Sequence, residues 1–193
     1  MLLAPGKAGT GDRTLGGMRI WPPERSKLSA LYYLTEVPSV SDMKILYLGA
    51  SFGTTVSFLA DYAMVIYAVE FSHHAMTSLL KVVQKHPNII PFFADARTPE
   101  AYAPFIEEVD MVFQDIAQRD QISIFIDNLC PLKTGGYAIL ILKLESISKE
   151  TTLDEICDTH MSRLKGAGID VQKAISLEPY HHDHLAIIGI KKN

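Results

Sequence analysis

Three acidic residues of this chain each follow a short apolar segment of the kind that forms a buried strand. They are Glu70, Asp95 and Asp115. If the strands are parallel, their carboxyl ends meet at one edge of a sheet, where α/β folds bind ligands. Glu70 stands 21 residues after Gly49, close to the spacing at which such folds hold a ribose diol. Each acid alone could be a helix N-cap, but together they predict a site for a nucleoside-containing cofactor.

A loop of small residues, Gly-Ala-Ser-Phe-Gly-Thr-Thr at residues 49–55, precedes Glu70 in the sequence. Small residues allow a ligand to approach the backbone closely, and the helix expected after the loop offers unpaired N–H groups at its positive end. Ser51 and Phe52 interrupt the glycine pattern of dinucleotide-binding loops, which weakens an interpretation as a pyrophosphate site. A plain tight turn is the alternative.

The elements that must position these residues alternate regularly along the chain. Apolar runs predict strands over residues 44–48, 65–69, 89–93, 111–114, 137–142, 171–177 and 184–190. Helices are predicted over residues 26–34, 54–62, 73–85, 118–129 and 153–165, with a short one from residue 99, N-caps at Ser26 and Ser72, and a turn at residues 133–136. This alternation predicts an α/β fold with a mostly parallel sheet. No crossover helix fits between the last two strands, so we expect them to form an antiparallel hairpin at its edge.

Composition excludes several classes of protein. The length of 193 residues suits one domain, and the net charge of -4 is opposite in sign to that of most autonomous nucleic-acid binders. The apolar runs are too short to cross a membrane, and the N-terminus does not resemble a signal peptide. Cys130 and Cys157 form no CxxC pair, which argues against a zinc or disulfide framework. We expect an intracellular, cytoplasmic protein without a membrane partner.

Positive charge is concentrated at the two ends of the chain. Residues 1–40 and 163–193 each carry a net charge of +2, whereas residues 41–162 carry -8. Chance clustering is one interpretation. The other is that both ends lie along one basic edge of an acidic body.

Three histidines lie close together in the segment His-His-Asp-His at residues 181–184. His182 and His184 could share one face of a strand and bind a metal ion. Neither a cysteine nor a Glu/His spacing on a helix supplies the remaining ligands, so no metal is expected.

Several strings of residues make the sequence similar to the fibrillarin family of methyltransferases, from about Trp21 to the C-terminus. They include Arg-Ser-Lys-Leu at 25–28, Leu-Tyr-Leu-Gly-Ala at 46–50, Tyr-Ala-Val-Glu-Phe-Ser at 67–72, Asp-Ala-Arg at 95–97, Asp-Ile-Ala-Gln at 115–118 and Leu-Glu-Pro-Tyr at 177–180. The resemblance implies a Rossmann-like class I S-adenosylmethionine-dependent methyltransferase fold. The sequence departs from the family pattern at Ser51-Phe52, where Ala-Ser is usual, and in a shorter connection at residues 61–64.

The resemblance also implies S-adenosylmethionine as cofactor and an RNA ribose 2′-hydroxyl as methyl acceptor. Thr54 and Thr55 would lie at the methionine end, Glu70 would hold the cofactor ribose, and Phe71 would lie beside the adenine. The other cofactor-binding residues implied in this way are Gly49, Ala50, Gly53, Asp95, Ala96, Asp115, Ile116, Ala117 and Gln118.

Four residues match the catalytic set that the resemblance suggests: Lys27, Asp115, Lys143 and His184. Lys143 would act as general base with Asp115 orienting it. Lys27 would place the nucleotide and stabilise the developing alkoxide, and His184 would fix the hydroxyl or share its proton. The alternatives are that Lys27 is a surface lysine of a helix, that Asp115 is a helix cap and that Lys143 is an exposed strand end.

The partners that the resemblance implies are a Nop-family scaffold protein, a kink-turn-binding ribosomal-type protein, and box C/D guide RNA with its target RNA. The chain would then be the catalytic subunit of a guide ribonucleoprotein for pre-rRNA and tRNA processing in an archaeal cell. Residues 1–24 would be a short N-terminal extension, a reduced accessory region, and residues 25–193 the methyltransferase domain. Two alternatives remain: a stand-alone methyltransferase acting on another RNA or a small molecule, and a non-catalytic structural subunit.

Overall fold

A computed structural model describes residues 2–6, 12–144 and 153–193. Within these residues two sheets and five α-helices are present. The strands are β1 (Leu3–Ala4), β2 (Thr14–Leu15), β3 (Met18–Ile20), β4 (Lys44–Leu48), β5 (Val65–Glu70), β6 (Ile89–Phe93), β7 (Val109–Asp115), β8 (Leu132–Lys143), β9 (Ile169–Ser176) and β10 (His184–Lys191). The helices are α1 (Lys27–Leu34), α2 (Thr54–Leu59), α3 (His73–Val83), α4 (Gln121–Asp127) and α5 (Leu153–Gly166).

The main sheet has the strand order β6-β5-β4-β7-β8-β10-β9. Its first five strands are parallel, and β10 runs antiparallel to both β8 and β9. The predicted α/β fold, with a mostly parallel sheet and a C-terminal antiparallel hairpin, is confirmed. The chain direction across the sheet reverses between β4 and β7, and such a reversal opens a crevice at the carboxyl ends of the strands.

Apolar side chains cover both faces of this sheet, as expected for parallel strands built from continuous apolar runs. Alternation along β4 sends Ile45 and Tyr47 into one core cluster and Leu46 and Leu48 into the other. Helices α1, α2 and α3 contribute to the first cluster, and α4 and α5 to the second.

The N-terminal sheet has the order β1-β3-β2 and is held to the body by Arg19 of β3, which is only 3% exposed. The Arg19 guanidinium contacts Asp12 and Asp61 at 2.9 and 3.0 Å and donates to the Ser57 hydroxyl at 2.9 Å. It also lies 4.0 Å from the centre of the Phe58 ring. The division at residue 24 stays a prediction, but the first residues do form a small sheet packed on α2.

The structure differs from the predicted elements mainly at their ends. Helix α2 stops at Leu59, three residues early, and α4 begins only at Gln121 because residues 116–118 line the crevice described below. The predicted turn at residues 133–136 is a bulge within β8, since Leu132 pairs with Val109 while Tyr137 pairs with Met111. The short helix predicted from residue 99 consists of two 3-10 turns. No helix within the described residues is long and apolar enough to span a membrane.

Candidate functional site

A cleft of about 250 Å³ opens at the carboxyl ends of β4, β5 and β7, where the strand order reverses. Most of the predicted cofactor residues meet there. The lining residues are Gly49, Ser51, Val69, Glu70, Phe71, Ala94, Asp95, Ala96, Arg97, Asp115, Ile116, Ala117, Gln118 and Ile124. Sequence reasoning missed Ser51, Val69, Ala94, Arg97 and Ile124 as lining residues.

Glu70 ends β5 and fixes the loops on both sides of the cleft. One carboxylate oxygen accepts the Ser51 N–H and the other accepts the Ser72 N–H, each at 2.7 Å. Glu70 is 7% exposed, and an ionised carboxylate with one donor on each oxygen still has lone pairs for further hydroxyl donors. Ser72 is the N-cap of α3, as predicted, and its hydroxyl accepts the Ala75 N–H. Glu70 therefore holds the two loops in place and can also accept hydrogen bonds from a ligand in the cleft.

Gly49 sets the width of the cleft floor. Its φ of +80° lies in the left-handed region, and a Cβ at this position would stand 2.4 Å from the Asp115 carbonyl oxygen. A side chain here would therefore separate the loop after β4 from the end of β7. Only glycine permits this close approach.

Arg97 joins the far wall of the cleft into one network, a role that the sequence did not reveal. Its guanidinium binds Asp120 at 2.8 and 3.1 Å, the Gln118 side-chain oxygen at 3.1 Å and Asp95 at 3.5 Å. The pairing lowers the pKa of Asp120. The only signal for this residue was its place in the Asp-Ala-Arg string.

Four of the predicted cofactor residues do not line the cleft. Ala50 is buried, and Gly53 and Thr54 border a second cleft beside it. The Thr55 hydroxyl donates to the Ser26 hydroxyl at 3.1 Å. Ser26 is the N-cap of α1, as predicted, and accepts the Ser29 N–H, so Thr55 ties α2 to the start of α1.

Lys27 and Asp115 form an ion pair of 2.8 Å at the mouth of the cleft, although 88 residues separate them in sequence. Their side chains are 22% and 24% exposed. The expected partner of Asp115 was Lys143; the structure pairs it with Lys27 instead.

Sheet register brings Lys143 and His184 to the same place. Asp115 lies opposite Ile141, two residues before Lys143, and Lys143 lies opposite His184. Because strand residues alternate, Asp115, Lys143 and His184 project on the sheet face that α1 covers. The four predicted catalytic residues thus converge from α1, β7, β8 and β10.

Gln121, buried at the start of α4, holds the main chain of Lys143. Its side-chain oxygen accepts the Lys143 N–H at 3.1 Å and its side-chain nitrogen donates to the Lys143 carbonyl at 3.2 Å. The ladder between β7 and β8 ends at Ile141, so Gln121 takes the place of a strand partner. The sequence carried no signal for this role.

The environment of His184 favours its neutral form. Burial is the main cause of its lowered pKa, and the nearby Lys27 lowers it further. Nδ1 lies 2.6 Å from the His182 carbonyl oxygen, an arrangement that places the proton on Nδ1 and leaves the lone pair on Nε2. Within the described residues no group of three or more His, Cys, Asp or Glu side chains is arranged to hold a metal ion.

Comparison with known proteins agrees with the motifs. The Fibrillarin family model matches residues 8–193. A protein of Methanospirillum hungatei named fibrillarin-like rRNA/tRNA 2′-O-methyltransferase is 48% identical over 189 residues, covering 98% of this chain and 92% of its own. The chain belongs to the fibrillarin family.

Two solved fibrillarin structures share its fold closely. A fibrillarin in complex with Nop5p is 36% identical with a TM-score of 0.90, and the match covers 98% of this chain and 93% of the other. The fibrillarin of Aeropyrum pernix, solved with natively bound S-adenosyl-L-methionine, is 35% identical with a TM-score of 0.85, covering 97% and 86%. The methyltransferase fold that the fibrillarin resemblance implied is confirmed.

Proposed function

We propose that this chain transfers a methyl group from S-adenosylmethionine to a ribose 2′-hydroxyl of rRNA and tRNA. The single observation that carries the proposal is the Lys27–Asp115 ion pair, which stands beside His184 at the mouth of a nucleoside-sized cleft. The relative from Methanospirillum hungatei bears the name of this activity.

The cleft suits the cofactor in three ways. Glu70 offers carboxylate lone pairs to a ribose diol. Phe71, Ala96 and Ile116 supply apolar surface for an adenine ring, and Asp95 lies at the rim. When bound, S-adenosylmethionine supplies an electrophilic methyl group for in-line displacement.

The side chains at the mouth would prepare the hydroxyl for attack. Neutral His184 accepts a hydrogen bond from the hydroxyl through Nε2, or takes its proton, and Lys143 is the second candidate base on the same sheet face. Lys27 stabilises negative charge as it develops on the ribose oxygen. Asp115 holds Lys27 in place through their hydrogen bond. Orientation and charge stabilisation together supply the catalysis.

The proposed partners follow from the same family membership. A fibrillarin relative was solved with Nop5p, which supports a Nop-family scaffold for this chain. We extend the proposal to a kink-turn-binding protein, a box C/D guide RNA and its target RNA, in the cytoplasm of an archaeal cell. A net charge of -4 suits a catalytic subunit that other proteins carry to RNA. Residues 25–193 would be the catalytic unit, and residues 1–24 would be a short extension that supports it.

Reconstitution tests the activity directly. The chain is incubated with labelled S-adenosylmethionine, guide RNA, target RNA and the two partner proteins, and the modified nucleotide is mapped. We expect ribose methylation at the guided position, none with Asp115→Ala, and negligible methylation by the isolated chain. Robust turnover without partners would favour the stand-alone enzyme. A complete particle without turnover would favour a structural subunit, which the presence of all four catalytic side chains argues against.

A further inference from the structure

A second cleft of about 260 Å³ lies beside the cofactor cleft. It runs between the turn before α1, the start of α2 and the end of α3. One loop separates the two clefts, because Ser51 lines the first while Phe52 and Gly53 line the second. We call the second the basic cleft.

The basic cleft is positively charged in a protein of net charge -4. Arg19, Arg25, Lys81 and Lys85 line it, against a single lining carboxylate, Asp12. Arg19 is neutralised by its buried ion pairs. Arg25, Lys81 and Lys85 are exposed and form no ion pair with any described residue.

A half-buried histidine, His86, lies on the wall of this cleft. Burial is the main cause that lowers the pKa of His86; Asp61 at 3.8 Å opposes it, and Arg19 and Lys85 lower the pKa further by smaller amounts. His86 is therefore neutral at neutral pH and adds no charge of its own. The three free cations remain available to an anionic ligand.

Phe52 stands at the rim between the two clefts and is 50% exposed. Among the described residues its ring has one aromatic neighbour, His74, in an edge arrangement with centroids 5.4 Å apart. Single-stranded nucleic acid is held by this combination of cations for the backbone and an aromatic ring for a base. An acidic protein segment would use the cations but has no need of the exposed ring.

We propose that the basic cleft holds the RNA strand next to the target nucleotide, with Arg25, Lys81 and Lys85 on its phosphates and Phe52 stacked on a base. Arg25 is two residues before Lys27, so a strand in this cleft leads directly to the Lys27–Asp115 pair. The inference rests on the proposed function, since it requires RNA as substrate.

The test uses the full chain and a short fluorescein-labelled single-stranded RNA, with anisotropy measured over a range of salt concentrations. The triple variant Arg25→Gln, Lys81→Gln, Lys85→Gln should reduce the slope of log affinity against log salt by about 2, since each single-strand phosphate contributes about 0.7. The matched control, Arg163→Gln, Lys165→Gln, Lys192→Gln, removes the same charge on α5 and just after β10. It should keep the wild-type slope.

The aromatic contribution is tested separately. Phe52→Ser should weaken RNA binding roughly fivefold or more without changing the salt slope, and Phe52→Tyr should restore it because a ring is retained. A polyglutamate peptide of equal charge is the competing ligand. An unchanged slope in the triple variant, or tighter binding of the peptide than of the RNA, would overturn the proposal.

Activity is read in the reconstituted particle, where the triple variant should raise the KM for target RNA and keep kcat. RNA binding is measured without turnover, so the proposed function and the proposed RNA site in the basic cleft can each be refuted independently of the other. A wild-type chain that binds RNA in the cleft without methylating it would refute only the proposed function. If the particle methylates RNA and the triple variant has the wild-type salt slope and KM, only the proposal for the basic cleft is refuted.

Discussion

Two substitutions test the Lys27–Asp115 ion pair. Both should slow methylation, but they should shift the pKa of His184 in opposite directions. Lys27→Met and Asp115→Asn each break the pair while nearly preserving side-chain size. The Lys27 and Asp115 side chains are 22% and 24% exposed, so water reaches the partner that each substitution leaves behind. A pair this accessible contributes about 1 kcal/mol to stability. Domains are typically stable by 5–15 kcal/mol, so both variants should stay folded.

Catalysis should suffer more than stability. A hydrogen bond to a charged group is worth about 1.5–3 kcal/mol, and every 1.36 kcal/mol corresponds to a factor of ten in rate. Both variants should therefore lose roughly 10- to 150-fold in kcat. The measurement is single-turnover methylation in the reconstituted particle, with Lys165→Met, at an exposed position of α5, as a control.

The pH dependence gives the two variants opposite signs. Lys27 lowers the pKa of His184 and Asp115 raises it. Lys27→Met should therefore raise this pKa and Asp115→Asn should lower it further. Since the neutral imidazole is the active form, the acid limb of the rate profile should lie below pH 6.5 in the wild type, higher for Lys27→Met and lower for Asp115→Asn. An NMR titration of His184 reads the same shifts without turnover. Shifts of the same sign in both variants, or a kcat within threefold of the wild type, would refute this account of the site.

Three further substitutions test the framework of the site. Gln121→Leu should lower kcat about tenfold with little change in the KM for cofactor, because it releases the main chain of Lys143 and spares the cleft. A rise in the KM for cofactor as large as the fall in kcat would contradict a positioning role. Arg19→Met should lower the free energy of unfolding by about 3–5 kcal/mol in urea denaturation, since it leaves the buried Asp61 carboxylate without its guanidinium; a loss below 1 kcal/mol would show that water or another cation replaces it. Gly49→Ala should abolish cofactor binding in calorimetry, because its Cβ would collide with the backbone at the end of β7 and the φ of +80° is strained for alanine; wild-type affinity would show that the two loops can separate.

Much of the fold was visible in the sequence because local rules and global architecture agree here. Apolar runs of four to seven residues located the main-sheet strands, and the serines before Lys27 and His73 located two helix starts. Element ends were less certain because loops beside a cleft can have helix-like sequences, as at residues 118–120, where a helix was predicted and none is present. The bulge at residues 133–136 was invisible because it depends on the register of the neighbouring strand.

The cofactor cleft was also largely predictable. Parallel strands place their carboxyl ends together, so Glu70, Asp95 and Asp115 could be assigned to one edge from their spacing alone. Arg97 could not be assigned in the same way. Its partner Asp120 lies 23 residues away, and only the packed loops bring the two side chains to 2.8 Å.

By itself the sequence determined the α/β architecture and the edge of the sheet that carries the site, and its resemblance to the fibrillarin family supplied the four predicted catalytic residues. The tertiary structure decided which of them pair. Lys27 rather than Lys143 meets Asp115, and Gln121 rather than Asp115 holds Lys143. Sequence periodicity fixes the face on which a side chain lies, whereas a hydrogen bond of about 3 Å requires the relative placement of two elements. That placement comes from the packing of α1 and α4 on opposite faces of the sheet.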